Sequence, residues 1–179
     1  MALTRREFLL IGTTAGAFAA VGVVVPVALT KDGDGGGGEA AVVGLFPRMK
    51  VASLSSLDTG DPVFFDYPLE GQSNLVVKMG EPATGGVGPD DDVVAYSNLC
   101  THMGCPITDY EPDHRLLGPC PCHFTTFDLS RDAQVTLGQA TQNLPRVLLE
   151  VEDDDVYATG VLRLVYGFSN TLVGAPAVA

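Results

Sequence analysis

Cys100-Thr101-His102-Met103-Gly104-Cys105 and Cys120-Pro121-Cys122-His123 gather all four cysteines of the 179-residue chain, and two of its three histidines, into one short stretch. Thiolates and imidazoles are metal ligands, suited to iron or zinc. A Cys2His2 zinc site would use four of these groups and leave two cysteines unexplained, and the C-x2-C pairs of zinc ribbons are absent. A pair of plain disulfides would suit an exported protein but would leave both histidines without a role. The third histidine, His114, sits in the charged stretch Glu111–Arg115 and reads as a solvated loop residue.

The pattern C-x-H-x2-C … C-x-C-H resembles the Rieske iron–sulfur proteins, whose [2Fe–2S] cluster has thiolates on one iron and imidazoles on the other. The resemblance implies that Cys100 and Cys120 bind one iron and His102 and His123 the second. It implies that Cys105 and Cys122 form a disulfide tying the two cluster loops together. Exchanging two thiolates for imidazoles lifts the reduction potential from about −400 mV into a range of about −150 to +300 mV. Pro119 and Pro121 fix φ and remove donors in the second loop. Other backbone N–H groups are then free to face the cluster sulfurs and stabilise the reduced state.

The elements around these loops read as strands. Val63–Tyr67, Leu75–Met79, Val93–Ser97, Thr125–Leu129, Gln134–Leu137, Arg146–Val151 and Val156–Thr159 are short β-rich runs bounded by Gly, Pro and Asp. No sustained helical period or internal repeat occurs after the N-terminus. The expected fold is all-β: an antiparallel sandwich or barrel base with a small inserted cluster-binding subdomain, as the resemblance implies. The domain is expected over residues 41–175, with the cluster loops at 98–128. There is no Trp, so the core must rest on Val, Leu, Phe and Tyr.

The N-terminus is a separate element. Thr4-Arg5-Arg6-Glu7-Phe8-Leu9 resembles a twin-arginine export signal, and residues 8–29 form an apolar run long enough to span a bilayer. Residues 1–30 are therefore expected to be a signal or membrane tether, and residues 31–40 a Gly-rich linker. Export of a protein already folded around its cofactor suits the twin-arginine route. The domain is expected in the periplasm or on the outer face of the cytoplasmic membrane, where a disulfide persists. A formal net charge of −12 argues against nucleic acid as a partner.

A longer resemblance narrows the family. Gly85–Ser97 leading into Cys100–Pro106, then Cys120–Asp128, Asn143–Leu149, Gly160 and Val165–Asn170, are similar, in that order, to the small subunit of arsenite oxidase. That resemblance implies a large molybdopterin subunit with a [3Fe–4S] cluster as partner and a cytochrome c or cupredoxin as external redox partner. This chain would then be the electron-transfer subunit, with no catalytic residues of its own. The small subunit of iodate reductase is the alternative in the same lineage, and a cytochrome bc Rieske subunit is a second. Two residues bear on tuning: Thr125 stands where cytochrome bc Rieske proteins carry a serine hydroxyl, and Phe127 where they carry a tyrosine. Phe124 and Phe127 otherwise read as core residues.

Overall fold

The structure is a computed structural model and describes residues 46–169. The export segment, the linker and the two ends of the expected domain, residues 41–45 and 170–175, lie outside the described residues.

Alternation of buried side chains on two central strands organises the fold. β3 (Ser73–Lys78) and β4 (Val93–Ser97) are apolar on both faces, as strands covered on both sides must be. Val76, Val93 and Ala95 point into one core; Leu75, Val77, Val94 and Tyr96 point into the other. The first core is enclosed by a six-stranded antiparallel sheet in the order β1–β10–β9–β4–β3–β2, completed by β1 (Met49–Ser53), β2 (Val63–Asp66), β9 (Arg146–Glu152) and β10 (Asp155–Leu162). All six strands contribute to this core, so the sheet curls around it as a barrel-like base.

The second core lies between the other face of β3–β4 and a four-stranded antiparallel sheet, β5 (Tyr110–Glu111), β6 (Leu116–Leu117), β7 (Thr126–Asp128) and β8 (Gln134–Leu137). This smaller sheet is an insertion. The chain leaves the base after β4 and re-enters at β9, and these strands are neighbours, with Ala95 opposite Val147 and Tyr96 opposite Arg146. The Ser97 N–H donates to the Pro145 carbonyl at 2.8 Å and closes the neck of the insertion. Tyr96, fully buried, crosses the interface and donates its hydroxyl to the Leu129 carbonyl at 3.1 Å. Asp132 adds a charged clasp. It pairs with Arg146 at 3.3 Å and with Arg163, while Arg163 Nη1 donates to the Leu144 carbonyl at 2.9 Å.

The expected all-β base with an insertion is present. The sequence reading placed seven strands; β1, β5 and β6 are additional. β1 is an edge strand of mixed burial, and β5 and β6 are two residues each, too short for a period. His114 lies exposed in the turn between β5 and β6, as a solvated residue should.

Candidate iron–sulfur centre

Two loops of nearly identical hydrogen bonding form the tip of the insertion. In the first, between β4 and β5, the Cys100 N–H donates to the Cys105 carbonyl at 2.9 Å and the Gly104 N–H to the Cys100 carbonyl at 2.7 Å. In the second, between β6 and β7, the Cys120 N–H donates to the Thr125 carbonyl at 2.8 Å and the Phe124 N–H to the Cys120 carbonyl at 2.9 Å. Asn98 pinches the foot of the first loop: its carbonyl accepts from the Ile107 N–H at 2.8 Å, and its amide donates to the Ile107 carbonyl at 3.1 Å.

The loops present their ligand types in layers. Cys100 and Cys120 are free thiols, each 1 % exposed, packed on Phe127, Leu117 and Ile107. His102 and His123 lie above them at the surface, edge to face, with their Nδ1 atoms 3.2 Å apart. That spacing fits either one neutral ring donating its Nδ1 proton to the other Nδ1, or two imidazoles turned toward a shared metal. Two imidazoles sharing one tetrahedral metal at about 2.1 Å would stand about 3.4 Å apart. Burial pushes the Cys100 thiol up from its ordinary value and the neighbouring Cys120 adds to the rise, while the backbone of His102 and Met103 opposes it.

The sulfurs of Cys105, Cys120 and Cys122 also lie within 4.8 Å of one another. They are no three-thiolate site, because Cys105 and Cys122 are joined to each other in a disulfide. The bridge links the two loops directly, as the resemblance implied. What remains is two reduced sulfurs below and two imidazoles above, a donor set that fits a mixed-ligand iron–sulfur cluster.

A model of the Rieske [2Fe–2S] domain matches residues 48–159. This chain is a member of the Rieske family. Its cofactor is accordingly a [2Fe–2S] cluster. Iodate reductase subunit IdrB of Pseudomonas sp. (strain SCT) is 44% identical over 169 residues, covering 94% of this chain and 84% of that protein. The cytochrome bc1 complex Rieske iron-sulfur subunit of Streptomyces lividans is 48% identical, but over 65 residues that cover only 36% of this chain. Among solved structures, the soluble domain of Rieske protein II (soxF) from Sulfolobus acidocaldarius aligns over 65% of this chain with a TM-score of 0.56 and 26% identity.

The two tuning residues fall in different situations. Thr125 is fully buried, and its Oγ1 accepts from the Gln139 N–H at 3.1 Å and the Ala140 N–H at 3.4 Å, leaving its own proton to donate. Gly138 makes this fit: a Cβ there would stand 2.4 Å from the Thr125 Cα. Phe127 is fully buried in the core beneath the thiols. Phe124 is not a core residue. It is 67% exposed, and its backbone is left-handed at φ 59.

Met103 repeats the theme after the other histidine, at 57% exposed. The segments around this end, residues 99–107, 118–127, 134–145 and 164–169, contain no charged side chain, on a chain with 22 acidic residues. A reading by residue type finds ligands but misses this uncharged collar. The absence of Asp, Glu, Lys and Arg from four separate stretches was its available signal.

Proposed function

We propose that this chain is the electron-relay subunit of an exported oxidoreductase of the iodate reductase type, with Cys100 and Cys120 holding one iron of its cluster and His102 and His123 the other. The observation that carries the reading is the extent of the likeness to the iodate reductase subunit, which spans nearly the whole chain. It favours iodate over arsenite as the partner's substrate. It also favours this lineage over a cytochrome bc complex, whose likeness stops at the cluster region.

The bound cluster supplies one-electron storage; the protein supplies its surroundings. Cys100 and Cys120, both buried, would hold one iron away from water, and His102 and His123, nearer the surface, would give electrons a short route out. Thr125, whose carbonyl accepts from the Cys120 N–H, would bring a hydroxyl into the second cluster loop. The collar with Met103 and Phe124 suits an uncharged, apolar face on a large catalytic subunit, expected to be a molybdopterin protein, because apolar surface is buried durably there. A cytochrome c or cupredoxin would then exchange electrons with the assembled complex. Iodate is an oxidant, so electrons run from the small carrier through this chain to the partner. The twin-arginine-like segment supports delivery of the folded domain to the periplasm, with residues 8–29 removed or kept as a tether.

The test is the complex purified with whatever large subunit co-purifies with this chain and reduced with dithionite. Iodate should reoxidise the Rieske chromophore, and arsenite should not reduce the oxidised form. Reduction by arsenite would reassign the substrate; a protein without iron and acid-labile sulfide would end the reading altogether.

A further inference from the structure

The first cluster loop is covered from outside by a residue that lies beyond the stretch matched to the family. Tyr166 follows β10, and the family match ends at residue 159. Its ring rests on Gly104, where an added Cβ would stand 2.4 Å from Cδ1 and 2.8 Å from Cε1. Gly104 has φ +75, so glycine serves both the left-handed backbone and the close approach. The Tyr166 hydroxyl reaches Met103 Sδ at 3.7 Å.

The segment carrying this ring is fixed on both sides. Before it, Arg163 is held by Asp132 and the Leu144 carbonyl. Beside it, Val165 is fully buried in the base core, and the Phe168 N–H donates to the Val165 carbonyl at 3.2 Å. A ring one residue from such an anchor has little freedom to drift.

We propose that Tyr166 is a positioning residue for the cluster: its ring holds the loop at Gly104 and, through the Gly104–Cys100 hydrogen bond, keeps the Cys100–Cys105 loop in the shape that presents Cys100 and His102, which raises the electron affinity of the centre. This rests on the reading of Cys100 as a ligand. The coupling is short. The Gly104 N–H donates to the Cys100 carbonyl at 2.7 Å, and His102 and Met103 lie between those two residues. Reduction adds negative charge that the backbone N–H groups of an ordered loop stabilise, so loosening the loop disfavours the reduced form. The ring also stabilises the fold, since only 37% of the residue is exposed, so the Phe and Leu variants are needed to separate positioning from packing.

The experiment is film voltammetry on the full chain loaded with its cluster, with amide hydrogen exchange across residues 101–104. Tyr166→Ala should lower the reduction equilibrium constant several-fold, tenfold being about 59 mV for one electron, and should speed exchange at His102 and Met103. Tyr166→Phe, which keeps the ring, should restore both. Tyr166→Leu should fall between, and it supplies the comparison where the Ala variant sheds its cluster. An unchanged or raised potential in the Ala or Leu variant, or a Phe variant as low as Ala, overturns the proposal. The wild-type protein is a separate control: failure to show a histidine-ligated EPR signal there would remove the ligand assignment instead.

Discussion

Gly104 and Phe124 occupy the same place in the two cluster loops. Each follows a loop cysteine by four residues, donates its N–H to that cysteine's carbonyl, and adopts a left-handed backbone, at φ 75 and φ 59. Glycine takes this conformation freely, whereas an ordinary side chain is disfavoured there by about 1–2 kcal/mol. The first loop uses glycine because Tyr166 lies on it; the second carries a phenylalanine that neither relieves the strain nor buries its ring.

Phe124→Gly separates folding from docking. Relief of the left-handed strain is opposed by roughly 0.5–1 kcal/mol of extra chain entropy in the unfolded state. The melting point should therefore stay close to that of the parent. Affinity for the large subunit should fall by about tenfold, as expected when an apolar anchor leaves an interface. Titration calorimetry against the purified partner reads this directly. Unchanged affinity would show that the collar faces solvent in the complex.

The Cys105–Cys122 bridge ties the two cluster loops to each other covalently. Cys105→Ala with Cys122→Ala should lower stability by about 2–4 kcal/mol and reduce the iron retained per chain after gel filtration. The four proposed ligands are untouched by the change, so the EPR line shape of the clusters that remain should persist. A double variant that melts and retains iron like the parent would make the bridge dispensable.

Residue type and spacing made the centre legible before any coordinates, because few chemistries use two thiols and two imidazoles at those intervals. Strands such as β3, β4 and β9 were legible from their β-branched runs. β5 and β6 were not, since two-residue strands exist only through their pairing with each other and with β7. Phe124 read as a core candidate, and only loop closure shows it turned outward. Tyr166 over Gly104 and the Asp132 clasp join residues distant in sequence, so no local pattern could announce them.

Asp132→Ala should loosen the insertion from the base. Asp132 and Arg146 are mostly buried, at 22% and 20% side-chain exposure, and Arg146 Nε has no partner of its own. Removing the carboxylate leaves two guanidinium groups side by side without their shared anion, at a cost of about 2 kcal/mol after allowing for partial solvation. Chemical denaturation followed by circular dichroism measures the loss. Stability unchanged from the parent would show the clasp to be ornamental.

Phe127→Tyr asks what a hydroxyl does beneath the thiols. Phe127 sits opposite Leu117 and Val135 in the small sheet and is fully buried in the core that includes Cys100 and Cys120. A hydroxyl placed there has mainly apolar neighbours, with the Cys100 and Cys120 sulfurs in the same core as candidate acceptors. Donation to a ligand thiolate favours the reduced, more negative centre, so the potential should rise relative to the parent. If the hydroxyl fails to reach sulfur, it is buried without a partner at a cost of about 1–3 kcal/mol. The protein would then melt earlier at an unchanged potential. Film voltammetry and a melting curve on the same preparation distinguish the outcomes. A raised potential with preserved stability identifies Phe127 as the residue that keeps this relay below the potential a tyrosine would give it.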